Sequence, residues 1–203
     1  MPWLDEVLHY INGVYLLVRQ KQEGFGWLDL TPRGLARSFW AFVWCLPAFA
    51  VIWASWRLYY IAGMPAGTAA GPAFLVKLLV IDVLGWLLPL ALVTALAPML
   101  GYGKHLLVLL TASNWVSVPF TYAAALPFAL SLVLPAMAPF AGLLLYAVFG
   151  ASVMLQFRLL WMCLGKQTLL SAAITALFVL PPMIVGQELQ RLLGTLPGCR
   201  FSQ

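Results

Sequence analysis

The chain reads as five long apolar runs, at about residues 38–62, 73–100, 105–134, 138–164 and 168–190, each interrupted only by isolated polar residues. A bilayer core about 30 Å thick is crossed by about 20 apolar residues at ~1.5 Å each, so every run is long enough to span. Without water to satisfy the backbone, such runs must be helical. The pattern therefore predicts an all-α fold, a polytopic helical transmembrane bundle of about five spans. The run at 105–134 contains Pro119 and Pro127 and fits either one kinked, tilted helix or a span followed by a re-entrant piece.

Ahead of the runs the pattern changes. Trp3, Leu4, Val7, Leu8, Ile11, Val14, Leu17 and Val18 recur at steps of three and four, while Asp5, Glu6, His9 and Asn12 take the other face. That is an amphipathic helix, with its acids in the first turns and Arg19 and Lys21 at the end, as the helix dipole favours. Its short length and polar face predict a helix lying on the membrane surface; the alternative is packing on the protein's own cytoplasmic ends or on a partner. Phe25 and Trp27, in the loop that follows, are placed as headgroup-level anchors, and with Trp3, Leu4, Val7, Leu8 and Ile11 they form a candidate interfacial surface. Thr31-Pro32 reads as an N-cap followed by proline in the first helical position, so the first spanning helix should begin near Pro32. The chain thus divides into a surface helix and aromatic loop (1–31), a five-span domain (32–192) and a short extracytoplasmic tail (193–203).

Composition closes off the soluble classes: 64% of residues are hydrophobic and 8% charged, against about 25% charged in soluble domains. The formal charge of +5 comes from eleven Lys and Arg scattered singly near helix ends. Topology explains them better than nucleic acid, and no nucleic-acid partner is expected. Arg19, Lys21, Arg33, Arg37, Lys104, Arg158 and Lys166 fall toward one side and Arg57, Lys77, Arg191 and Arg200 toward the other, while the loop from Ala62 to Pro72 is uncharged. By the positive-inside rule the N-terminus is cytoplasmic and the C-terminus extracytoplasmic. Asp5 and Glu6 stand where a leader would be basic, so the N-terminus is expected to be retained. Cys45, Cys163 and Cys199 have no metal or dithiol spacing. Leu88-Pro89-Leu90-Ala91-Leu92 and Leu126-Pro127-Phe128-Ala129-Leu130 echo each other as a Leu- and Ala-rich chain will by chance.

Candidate chemistry centres on Asp82, about nine residues (~14 Å) into the second run and so near the bilayer midplane. An aspartate at mid-helix costs about 2.5–3.5 kcal/mol on insertion scales, so it should find a partner, a proton or a wet cavity. Lys77 is five residues away, a poor helical pairing distance. Thr111, Asn114, Ser117 and Thr121 form a polar stripe on the third run and are the neighbours expected by depth. Asp82 with this stripe makes a candidate intramembrane polar site, for a proton-linked or substrate-binding function or for hydrogen bonds that hold spans two and three in register. Ser152, Gln156 and Cys163 on the fourth run fit a packing face. On the fifth, Ser171, Thr175, Pro182 and Gly186 do the same, with Ala172 and Ala176 as a small-xxx-small contact. Arg57, Lys77, Glu188 and Arg191 share an interfacial depth and suit an ion cluster or headgroup snorkelling.

His9 and His105 stand near water interfaces, and HExxH, GxSxG, P-loop and Rossmann patterns are missing from the sequence. No enzyme, cofactor or metal is expected.

Gly101-Tyr102-Gly103 between runs two and three, the polar-dotted third run ending in Val118-Pro119, and Asp29-Leu30 ahead of the first run resemble the Yip domain family of five-span membrane proteins. The resemblance covers about residues 29–190; Thr31-Pro32 departs from the family's Asp-Leu-Tyr-Gly-Pro segment. It implies a non-enzymatic membrane organiser acting in trafficking, membrane shape or complex assembly, and assigns no catalytic residue. Short tails and tight loops fit a bacterial inner membrane. Two function classes follow: a scaffold whose partners are the bilayer, other membrane proteins or a second copy, and a carrier or channel built on Asp82 with Pro47, Pro89, Pro119, Pro127 and Pro182 opening the helices.

Overall fold

The computed structural model describes residues 3–65 and 70–196. Residues 66–69 of the uncharged loop, and Cys199 and Arg200 of the expected tail, lie outside the described residues. The helices are α1 (Leu4–Val18), α2 (Pro32–Ser38), α3 (Trp40–Ala62), α4 (Pro72–Leu100), α5 (Leu106–Val133), α6 (Ala138–Cys163) and α7 (Thr168–Leu192), with a 3-10 turn at Gln22–Trp27. Five stretches are long and apolar enough to cross a membrane, the first being α2 and α3 together, Pro32–Ala62. The protein is thus an integral membrane protein by the character of its helices. Residues 106–133 form one helix that carries Pro119 and Pro127 inside it, so the re-entrant alternative does not hold.

Local chemistry sets the boundaries. Thr31 Oγ1 accepts from the Gly34 amide at 3.1 Å, and Asp29 Oδ1 in turn accepts from the Thr31 amide (3.1 Å) and hydroxyl (2.7 Å). Pro32 follows in the first turn, where its missing N–H costs nothing. α4 ends at Gly101, whose φ of +72° is a left-handed cap that residues with a Cβ rarely adopt.

The bundle is assembled from two pairs: α3 packs along α5, and α4 packs along α7. α6 touches both α5 and α7 and joins the pairs, whereas α4 makes little contact with α3 or α5. At the end where α4 gives way to α5, Leu90, Val93, Ala97, Leu109, Leu160 and Ile174 form one core. At the opposite end, Phe74, Leu78 and Ile81 of α4 pack against Trp53, Trp56 and Tyr60 of α3 and Leu189 of α7. The third core is built around Trp115 and Leu159 and receives α1. Side chains such as Leu143 and Leu169 point outward, 70% and 86% exposed, as apolar residues do where the surrounding solvent is lipid.

α1 is docked on this bundle. Val7, Tyr10, Val14 and Leu17 are buried against α5 and α6, and the Tyr10 ring stacks on Trp115 with centroids 4.7 Å apart. Glu6 pairs with Arg37 of α2. The expected interfacial surface is corrected accordingly. Val7 is 2% exposed and Ile11 packs on the core, whereas Trp3, Leu4 and Leu8 remain outside at 84%, 55% and 49%. Phe25 is half-buried against the same core, and Trp27 keeps an exposed edge while its ring lies 4.5 Å from His9. The physical reason is the width of the apolar arc: it is broad enough to cover the bundle with one side and to leave Leu4, Leu8 and Tyr15 facing out.

Candidate functional site

α5 is the axis of the site, and its polar residues divide their bonds among its neighbours. Asn114, 0% exposed, donates from Nδ2 to Ser38 Oγ of α2 at 2.8 Å. The Ser38 hydroxyl itself donates to Leu35 O at 2.7 Å, so it can only accept from Asn114. That fixes the carboxamide: Nδ2 faces α2, and Oδ1 points elsewhere, buried and without a protein partner. Thr111 Oγ1, one turn earlier, is likewise buried and unpartnered. Ser117 and Thr121 spend their hydroxyl hydrogens on the backbone, at Asn114 O (2.6 Å) and Ser117 O (2.8 Å). Ser113, beside the stripe, accepts from Gln156 Nε2 of α6 at 3.2 Å.

Because α4 and α7 stand off from α5 at this level, a cavity of about 260 Å³ remains between α4, α5, α6 and α7. Its polar wall is Ser113, Asn114, Ser117, Thr121, Ser152 and Gln156. The opposing wall is apolar and aromatic, with Trp86, Phe120, Phe149 and Phe178, and none of the lining residues is ionisable. Such a space can hold a neutral molecule by hydrogen bonds and apolar contact.

The structure does not bring Asp82 to this stripe, and that expectation is corrected. Asp82 Oδ2 accepts from the indole Nε1 of Trp53 on α3 at 2.6 Å, and Asp82 is absent from the cavity wall. The reason is length. α4 has 29 residues, so Asp82 lies about 15 Å from its first residue but ~27 Å from the end that leads into α5, whereas Asn114 lies only about 12 Å from α5's first residue. The two are offset by about 15 Å along helices joined at that end.

Two further expectations change. Ala172 and Ala176 are exposed, and the packed face of α7 is Ser171, Ile174 and Thr175. The interfacial ion cluster resolves into Glu188 with Arg191 at 2.9 Å, while Arg57 donates to Ala70 O (2.6 Å) and Lys77 to Leu193 O (2.7 Å). Lys77 thus ties α4 to the C-terminal end of α7, where a cation suits the dipole.

The sequence reading missed Ser38, Trp53 and Ser113. Although Trp44 and Trp56 keep a buried Nε1 without an acceptor, a buried indole N–H usually finds one, so the tryptophans of α3 were a signal for Asp82. Ser38 carried a weaker one, as the hydroxyl that opens the first apolar run. Among the described residues no group of three or more His, Cys, Asp or Glu is placed to hold a metal ion. No family model matches the chain, and neither a curated protein nor a solved structure matches it significantly.

Proposed function

We propose that this protein is a non-enzymatic membrane organiser, acting as a scaffold or assembly factor through contacts made in the bilayer and at its surface. The observation that carries the reading is the Trp53–Asp82 hydrogen bond. Asp82 is the acidic residue a proton-linked carrier would use, and it is committed to joining two helices at 2.6 Å. The amide N–H groups of Asn114 and Gln156 are spent in the same way, on helix–helix bonds to Ser38 and Ser113. What the protein offers outward is the exposed side of α1, with Trp3, Leu4, Leu8 and Tyr15, beside the basic residues Arg19 and Lys21. Its partners on this reading are the bilayer and other membrane proteins or a second copy. A cytoplasmic N-terminus is supported by the crowding of Arg and Lys around α1 and α2, and the likeness of Gly101-Tyr102-Gly103 and Val118-Pro119 to the Yip domain family agrees with an organiser.

The cavity bounded by α4, α5, α6 and α7 favours one second reading, a carrier of a small neutral molecule. Purification from the native membrane in a gentle detergent, with mass spectrometry of what co-purifies, separates the two. A partner in fixed proportion, lost when Leu4 and Leu8 are changed to Glu, supports the organiser. A monodisperse protein without a partner, moving solute in proteoliposomes, overturns it.

A further inference from the structure

We propose that the cavity bounded by α4, α5, α6 and α7 is a binding site for a neutral, hydroxyl-bearing membrane lipid of the acylglycerol type, whose hydroxyl donates a hydrogen bond to Asn114 Oδ1. The site would serve an organiser or a carrier alike and rests on neither reading. Four observations lead to it.

The first is the orphaned acceptor. Asn114 is fully buried, and its orientation is set by Ser38, which can only accept. Its Oδ1 therefore turns away from α2 with no protein donor, in a residue that lines the cavity. A buried acceptor left unpaired is unfavourable, so the site rewards a molecule that brings a donor.

The second is the state of the neighbouring wall. Ser117 and Thr121 have given their hydrogens to the α5 backbone, and Ser113 Oγ accepts from Gln156. Ser117 and Thr121 leave free only oxygen lone pairs, while Ser113 keeps its hydroxyl hydrogen, so the wall suits a group that both donates and accepts. Alcohols are thereby favoured over ketones, ethers and esters, which can only accept.

The third is charge. The lining holds no ionisable side chain, so a phosphate or ammonium head would be desolvated without compensation. The head must be neutral.

The fourth is access. Phe149 lines the cavity and is 45% exposed on the outer face of α6, so one wall is also lipid-facing surface. Phe120 and Ser152 are shared with two adjoining cavities, one of about 290 Å³ against α3 and one of about 340 Å³ beneath α1. The central 260 Å³ accommodates the head and first carbons, and the chain continues past Phe120 and Ser152 along apolar walls.

The test uses the full chain in nanodiscs with two photoactivatable probes, a long-chain monoacylglycerol carrying a diazirine beside the glycerol and its analogue with both hydroxyls methylated. The free-hydroxyl probe is expected to label the Ser113–Thr121 and Phe149–Gln156 segments at least about tenfold more than the methylated one, the ratio that one buried, unpaired acceptor produces. Asn114→Leu should lower its labelling to the methylated level. That change also breaks the bond to Ser38, so Ser152→Phe provides a second variant: it fills the shared wall, leaves the Asn114–Ser38 pair intact and should abolish labelling by both probes. Equal labelling by the two probes in the unaltered protein would mean chain occupancy without recognition and would overturn the proposal. So would free-hydroxyl labelling that survives Ser152→Phe, or that maps outside these two segments.

Discussion

Replacing Trp53 by Phe keeps an aromatic ring over Phe49, whose centroid is 5.9 Å away, and deletes the N–H that reaches Asp82 Oδ2 at 2.6 Å. Hydrogen bonds to charged groups contribute about 1.5–3 kcal/mol in water-soluble proteins, but side-chain couplings inside membranes average about 0.6 and reach ~1.7, because the unfolded chain finds partners too. Asp82 adjoins the apolar cluster of Phe74, Leu78 and Ile81, where a substitute partner is hard to find, so the upper end applies and a coupling of about 1–1.7 kcal/mol is expected. Asp82→Asn keeps an oxygen that accepts from the indole and removes a potential charge, so alone it should be neutral or stabilising. Trp53→Phe alone should destabilise. Trp53→Phe combined with Asp82→Leu should recover most of the loss, since removing both partners leaves nothing unpaired. The assay is reversible unfolding in mixed micelles across the cycle of single and double variants, followed by tryptophan fluorescence and corrected for the lost indole. A coupling inside the additivity scatter of about 0.3–0.5 kcal/mol would refute the assignment of Asp82 as a helix-joining residue.

Three other outcomes are expected. Ser38→Ala leaves Asn114 Nδ2 without its acceptor and should lower stability by about 1–2 kcal/mol in the same assay, with little change counting against the α2–α5 tie. A Cβ at Gly24 would meet Gly13 O at 2.5 Å and Leu17 Cγ at 2.7 Å, so Gly24→Ala should loosen the 3-10 turn from α1 by about 1–3 kcal/mol; amide exchange in that turn that stays as slow as in the unaltered protein would contradict this. Burial, reinforced by the hydrogen bond to Glu6, pushes the Tyr10 phenol up to about 12 from an ordinary 10.0. The unfolded chain then loses its proton first, so stability is level below about pH 10 and declines from there through about pH 12. Tyr10→Phe should remove that decline from the Tm profile, and matching profiles for the two proteins would show that Tyr10 does not carry it.

The five spans were legible because their determinants are local: apolar runs of sufficient length, Thr31-Pro32 at one start and Gly101 at one end. Helix partners were not, because they depend on which helix lies beside which. Of the expected stripe, Asn114, Ser117 and Thr121 line one cavity while Thr111 does not, and its expected neighbour Asp82 is one and a half dozen residues from the α4–α5 junction and bonds elsewhere. Periodicity gives a residue's face and approximate depth, and a long helix makes depth measured from one end misleading at the other. α1 illustrates the same limit: its apolar arc was visible, but which half of it meets protein was decided by the shape of α5 and α6.

The pairing of α4 with α7 has a consequence for how the chain is made. At synthesis rates of about 5–20 residues per second, the ribosome finishes α7 roughly 5–18 s after it finishes α4. During that interval α4 lacks its principal neighbour, and an acidic residue in it would stand alone against lipid. Trp53 belongs to the helix inserted just before, so its indole is already waiting when Asp82 arrives. The bond can act as a temporary moorage that keeps α4 from sliding back out of the membrane until α7 closes the bundle.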